Sequence, residues 1–238
     1  MSFSKLGTGM NLLAIDTSTE ACSAAVLRGQ DPAALFERYE IAPQRHGELI
    51  LPMCEAVLGE AGLAFADLTG LAFGRGPGAF TGVRIAAGVI QGFALATGLR
   101  VAPVSSLETM ARLAMRDTGH RRVYAAIDAR LGEVYCAAWD LDLGDDPCVA
   151  ERLARPDRVP AVDGDGWLGI GSGFAAHGDV LRARLGPALR HTLPRFFPRA
   201  GEIARLAVAI FAEGRAVAAD EALPIYLRDQ VAAIPSPR

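Results

Sequence analysis

Asp16, Thr17, Ser18 and Thr19 stand together where an apolar run, Leu12 to Ile15, gives way to a turn. A carboxylate, three hydroxyls and turn amides at the end of a strand can meet a phosphate or a phosphate-bound Mg2+. The same four residues also make an ordinary Asx or Ser/Thr turn, in which each side chain satisfies nearby backbone, and the letters fit both readings. A second candidate is GRGPGAFTG, Gly74 to Gly82. Its glycines allow positive φ and close backbone approach, and the helix expected after it offers free amides to an anion. Gly76 and Gly78 are its candidate phosphate contacts. It is not a GxxxxGK[ST] loop, because no Lys precedes Thr81.

Other chemistry is poorly represented. GIGSGF, Gly169 to Phe174, lacks the third glycine of a dinucleotide fingerprint and an acidic ribose partner. His46, His120, His177 and His191 show no HxxxH or HExxH spacing, so no metal centre is expected. Cys22, Cys54, Cys136 and Cys148 are scattered without a CxxC pair and read as buried, reduced thiols. No GxSxG elbow is present, and the separate Ser, His and Asp residues show no spacing that assembles a hydrolase triad. The formal net charge is -3 and the pI about 5.8, so no global basic field holds nucleic acid.

The elements that carry these residues can be read from periodicity. Strands are predicted at Leu12 to Ile15, Cys22 to Leu27 and Leu35 to Ile41, a helix at Glu48 to Ala61, a strand at Leu68 to Phe73 and a helix at Val83 to Ala96. From Val123 the order restarts, with strands at Val123 to Ile127, Glu133 to Asp140, Val149 to Leu153 and Trp167 to Ile170. Helices follow at Ala175 to Leu185 and Gly201 to Glu213. AIDTSTEACSAAV, from Ala14, and AIDARLGEVYCAAW, from Ala126, then mark the first hairpin of two copies of one β-β-β-α-β-α unit. Two such lobes would face each other across a cleft, with both turns lining it.

The helix over 83–96 is apolar nearly all round, apart from Arg84 and Gln91. A helix lying on one sheet needs a single apolar stripe, so its second face wants cover, from its own lobe or from a partner protein. Gly88 and Gly92 would let another helix approach closely. The apolar stretch Ile85 to Thr97 is too short for a bilayer and contains Gln91, so no membrane span is expected. Residues 1–9 read as a flexible leader, 10–103 as the first lobe, 104–222 as the second and 223–238 as a tail, with the last helix a candidate to pack back on the first lobe.

MNLLAIDTSTEACSAAVL, GRGPGAFTGVRIAAGVIQGFALATG, VAPVSSLETMA, AAIDARLGEVYCAAW and PIYLRDQVA together resemble the bacterial TsaB (YeaZ) family across essentially the whole chain from Met10. The resemblance implies an α/β, actin/Hsp70-like (ASKHA) fold with two RNase-H-like lobes. It implies a cytoplasmic part in forming N6-threonylcarbamoyladenosine in tRNAs that read ANN codons. There a TsaB-type protein is the non-catalytic partner of the related TsaD transferase, with the TsaE ATPase joining a larger complex and tRNA held only through it. Alone, such a protein pairs with itself. The implied pairing surface uses Leu49, Met53, Val57, Arg84, Ala87, Gly88, Gln91, Gly92 and Leu95.

Against the TsaD pattern, Ser106 and Met110 occupy the places of an HxxxH metal pair, and a hydroxyl with a thioether does not replace two imidazoles. The first turn keeps DTST, like an ASKHA phosphate loop, whereas Arg130 and Glu133 of the second would crowd a nucleotide. No catalytic residue, metal or cofactor is therefore expected, beyond a weak or vestigial ATP/ADP site at Asp16 to Thr19, Gly76 and Gly78. The competing expectation is an ATPase or phosphotransferase that uses Asp16. A peptidase, with neither nucleophile-base pair nor metal ligands, ranks last.

Overall fold

The computed structural model describes residues 9–29 and 34–228; the expected leader, except for its last residue, and the end of the tail lie outside them. Ten strands form two mixed five-stranded sheets. The first contains β1 (Leu12–Asp16), β2 (Ala21–Leu27), β3 (Leu35–Ile41), β4 (Gly70–Gly76) and β5 (Val101–Ser105). Between them run α1 (His46–Ala61), before β4, and α2 (Phe80–Thr97), before β5. Then come α3 (Ser106–Thr118), β6 (Arg122–Arg130), β7 (Glu133–Asp140), β8 (Val149–Ala154), β9 (Trp167–Ile170), α4 (Ser172–Leu185), β10 (Leu189–Leu193) and α5 (Ala200–Ala212).

The strand orders are β3-β2-β1-β4-β5 and β8-β7-β6-β9-β10. In each sheet the first three strands are antiparallel and the last two run parallel to the first. The two halves are thus the same topology twice, as the echo between Ala14 and Ala126 implies. The copies differ at one crossover. Between β3 and β4 runs the 16-residue α1, whereas between β8 and β9 only a 3-10 turn at Pro156–Arg158 is found.

The central strands of each sheet are buried on both faces, so they alternate between two cores rather than between core and water. Leu13 and Ile15 of β1 point to α1 and α2, while Leu12 and Ala14 point to α5. In the second sheet Val123, Ala125 and Ile127 meet α3, and Tyr124 and Ala126 meet α4. The last helix of the second unit therefore packs on the first sheet, and α3, which leaves the first sheet, packs on the second. This exchange ties the lobes together and leaves the ends of β1 and β6 facing each other.

Helix ends follow local rules. Ser105 caps α3 by accepting from the Glu108 amide at 3.2 Å, and Gly62, Gly98 and Gly119 close α1, α2 and α3 in the left-handed conformation. By length and composition α2 is apolar enough to cross a bilayer, contrary to the count over 85–97, because the helix begins five residues earlier. It lies against β4, with 33% of it buried. Cys22, Cys54 and Cys136 are buried as expected, but Cys148 is exposed, since the acidic 141–148 connection runs over the surface.

Candidate functional site

Asp16 ends β1 and is fully buried. Its Oδ1 accepts from the Ser18 amide and hydroxyl, each at 3.0 Å, and its Oδ2 is 3.1 Å from the same hydroxyl. Burial pushes the Asp16 carboxyl up to about 7, and the two Ser18 donors oppose that rise only in part. Above the loop sits the start of α2. The Ala79 amide donates to the Ser18 carbonyl at 2.7 Å, and the Thr17 hydroxyl donates to the Gly82 carbonyl at 2.7 Å.

Three glycines make this closure possible. A Cβ on Gly74 would stand 1.8 Å from Asp16 Oδ2, one on Gly78 2.1 Å from the Ser18 carbonyl oxygen, and one on Gly82 2.0 Å from the Thr17 carbonyl oxygen. Gly78 and Gly82 bring backbone onto backbone, and Gly74 lets β4 lie against the Asp16 carboxylate. Asp16, Thr17 and Ser18 have no exposed surface and Gly76 is buried, so of the six candidate phosphate contacts only Thr19 and Gly78 line the cleft. An incoming phosphate would first have to lift the α2 N-terminus off the loop.

The cleft itself is a cavity of about 480 Å3 between the lobes. One wall is Thr19, Glu20 and His46 with the start of α2 from Gly78 to Phe80; the other is the β6–β7 turn, Asp128 to Arg130, with Tyr135. Asp128 stands where Asp16 does in the first unit, but at the open mouth. Arg130 Nη1 lies 3.0 Å from its Oδ2, and His177 Nε2 lies 3.6 Å from its Oδ1. Glu133 is taken by Arg228 at 2.8 Å. The two residues expected to crowd a nucleotide are thus engaged with neighbours, one of them in the tail.

That tail, Leu223 to Arg228, straps the lobes. The Ile225 amide donates to the Arg75 carbonyl in β4 at 2.8 Å, and Arg228 Nη2 donates to the Ala129 carbonyl at 3.1 Å. Between them Tyr226 covers Arg84, whose guanidinium carbon also lies 3.3 Å from the Phe80 ring centre. Behind the cleft, Glu151 of β8 accepts from Ser105 and pairs with Arg75 at 3.4 Å. Periodicity does not mark His46, Tyr226 or Arg228 as cleft residues; the last two lie in the PIYLRDQVA stretch, which carries part of the family resemblance but does not place them.

Ser106 and Met110 are both fully buried on α3. The Ser106 hydroxyl donates to Ser18 Oγ at 2.8 Å, and the Met110 methyl fills the space where a Cβ on Gly171 would fall, 2.6 Å away. GIGSGF is a packing turn, since a Cβ on Gly173 would meet Ala126 at 2.8 Å. No group of three His, Cys, Asp or Glu side chains suited to a metal occurs among the described residues.

Of the helix residues implied for a partner surface, Val57 and Ala87 are buried in this chain and point into the core under the first sheet. Leu49 and Met53 are half-buried, Gln91 Nε2 donates to the Ala222 carbonyl at 3.1 Å, and Arg84 is exposed. Gly88 and Gly92 are exposed with open space where a Cβ would stand, and Leu95 is 76% exposed.

Residues 39–235 match the family model of TsaD, tRNA N6-adenosine threonylcarbamoyltransferase. The tRNA threonylcarbamoyladenosine biosynthesis protein TsaB of Escherichia coli K12 is 40% identical over 232 residues, 94% of this chain and 96% of that one. The chain belongs to the TsaB family. The TsaB of Haemophilus influenzae is 35% identical over 233 residues, covering 93% of this chain and 95% of its own. Among solved structures, YeaZ from Pseudomonas aeruginosa superposes with a TM-score of 0.82 at 41% identity, covering 92% of this chain and 100% of that one. TsaB membership and the doubled strand order agree on an actin/Hsp70-like fold of two RNase-H-like lobes.

Proposed function

We propose that this TsaB-family chain is the non-catalytic member of the machinery that forms N6-threonylcarbamoyladenosine in tRNAs reading ANN codons. It acts in the cytoplasm by pairing with a TsaD-type transferase and activating it, with a TsaE-type ATPase joining the assembly and tRNA held by the complex. Without its partner it pairs with itself. The observation that carries this reading is the outer face of α2, where Leu95, Gly88 and Gly92 leave apolar and backbone surface bare on a helix only 33% buried. A helix partner covering that face would bury surface that this fold leaves wet, at roughly 25 cal/mol per Å2.

Replacing Gly88 by Arg places a charged chain where space is now open, and Leu95→Asp adds charge to the same face. Either change should weaken pairing with the organism's TsaD-type protein by at least tenfold, about 1.4 kcal/mol, while the free chain keeps its melting temperature within a few degrees. Sedimentation of mixed proteins reads the pairing. Undiminished complex formation by both variants would remove this surface from the proposal.

The rival reading, an ATPase built on Asp16, gains little from a carboxylate that is sealed beneath α2 and fully buried. Calorimetry with Mg-ATP separates the two, since micromolar binding that Asp16→Ala abolishes would favour the ATPase.

A further inference from the structure

The chain as a whole is acidic, with a net charge of -3, but its positive charge is unevenly placed. Between Asp179 and Glu202 no carboxylate residue occurs, and the stretch carries Arg182, Arg184, Arg190, Arg195 and Arg199 with His191, Phe196 and Phe197 among them. Arg199 is taken by the first lobe, through Glu37 at 3.2 Å, with its guanidinium carbon 4.4 Å from the Tyr39 ring centre. The other four are exposed, and none has a carboxylate partner among the described residues. On other faces exposed arginines such as Arg45 and Arg121 are matched, by Glu40 at 3.2 Å and Asp142 at 2.7 Å.

The fold gathers these four along one edge. β10 is an outer strand of the second sheet, with Arg190 and His191 exposed on it and Arg195 just past its end. α4 lies beside it, where Arg182 Nη2 donates to Thr192 Oγ1 at 2.6 Å. Arg184 Nε donates to the Val159 carbonyl at 2.8 Å, which brings in exposed Arg158 of the 3-10 turn, also without a carboxylate partner among the described residues. Each of these bonds uses one of a guanidinium's five donors and fixes the side chain without neutralising it. The His120 ring stands edge-on to His191, with centroids 6.4 Å apart, so flat rings lie within the band. Of the carboxylates next to it, Asp157 is held by Arg155 at 3.1 Å, and Asp179 stands one turn before Arg182 on α4.

Simpler roles account for part of the band. Arg182 and Arg184 in the last turn of α4 complement its dipole, and a cation on β10 guards an open sheet edge. Neither role needs Arg158 or Arg195, or so long a stretch without carboxylates. Unmatched, exposed cations in a row are the footprint of a polyanion backbone, whose condensed counterions they displace, and arginine forks fit phosphate oxygens in pairs. We infer that this edge of the second lobe, through Arg158, Arg182, Arg184, Arg190 and Arg195, grips the phosphate backbone of an RNA. The choice of RNA among polyanions rests on the function proposed above; the edge itself is separate from the α2 pairing face, which belongs to the first lobe.

Fluorescence anisotropy of a labelled tRNA anticodon stem-loop, titrated with the full chain, tests this. Affinity should fall about 40-fold or more between roughly 50 and 200 mM salt, the loss expected when three or more phosphates are contacted. Arg190→Ala combined with Arg195→Ala removes two exposed side chains that have no carboxylate partner among the described residues. It should weaken binding about tenfold at low salt and lower the salt slope by about two, while the melting temperature stays within a few degrees. Arg38→Ala combined with Arg45→Ala removes the same charge from the first lobe and should leave binding nearly unchanged. The inference is overturned if the stem-loop does not bind at low salt or if both double variants lose binding alike. It is also overturned if polyglutamate displaces the stem-loop as well as unlabelled RNA does at equal charge, which would make the edge a surface for an acidic protein. Pairing with the TsaD-type protein should be unchanged in the Arg190→Ala, Arg195→Ala variant, so the RNA and pairing readings can fail separately.

Discussion

The two first hairpins start from the same letters, Ala-Ile-Asp, and end in opposite states. Asp16 is roofed by α2 and bonded to Ser18; Asp128 lies at the cleft mouth beside Arg130 and His177. Topology cannot explain the difference, because both strands are central in sheets of identical order. What differs is the turn after the fourth strand of each unit. GPGAFTG lets α2 settle onto the Thr17 and Ser18 carbonyls, whereas GSG brings α4 against Ala126, two residues before Asp128. One unit uses its second crossover to close the turn, and the other uses it to brace the strand behind the turn.

The sharpest way to break this contrast is to add one methyl in each lobe. In Gly82→Ala the new carbon would stand 2.0 Å from the Thr17 carbonyl oxygen, backbone against backbone. Only a shift of α2 relieves it, at about 4 kcal/mol or more. In Gly173→Ala the nearest atom is the Ala126 side chain at 2.8 Å, and overpacking of that kind costs about 1–3 kcal/mol. Urea unfolding of the two variants should rank them in that order, and equal losses would remove the α2 roof as the distinguishing feature.

The second contrast is in pH. A carboxyl that titrates near 7 when folded but near 3.8 in its unperturbed state binds its proton more tightly in the folded protein. Its contribution to stability is complete below about pH 4 and is lost as pH rises through 7, by on the order of 2–4 kcal/mol. Asp16→Asn keeps an acceptor for the Ser18 amide and never ionises. Melts from pH 4 to 8.5 should show the variant level with the parent at pH 4 and increasingly more stable up to pH 8. A parent that melts at the same temperature throughout would refute the buried, proton-holding Asp16.

Much of the first lobe is legible because its strands and two helices keep clean periodicities, and the repeat of Ala-Ile-Asp marks the duplication in the sequence itself. Both fifth strands were missed as elements in their own right. Val101–Ser105 carries Pro103, and Leu189–Leu193 is an exposed edge strand with Arg190 and His191, so neither shows a strand pattern. α3 was missed for a related reason, since its helical face is judged only against a sheet that lies in the other half of the chain. The Asp16 cluster was legible as residue types, but its burial was not. The distance from Gly78 and Gly82 to the loop depends on how α2 enters, a tertiary fact that no local pattern encodes.

The smallest expected effect concerns the strap that spans both hairpins. Arg228 reaches the second hairpin twice, through the Ala129 carbonyl at 3.1 Å and Glu133 at 2.8 Å, while Ile225 holds the first lobe through Arg75. Both members of the ion pair are largely covered, so Arg228→Ala should cost more than a surface bridge, about 1–2 kcal/mol. The loss should be local. Hydrogen exchange should quicken in the turn from Asp128 to Glu133 and leave Asp16 to Thr19 as protected as before, because the roof over that loop is α2 and not the tail. Faster exchange at both turns would mean that the strap holds the whole cleft closed and that the two hairpins open as one unit.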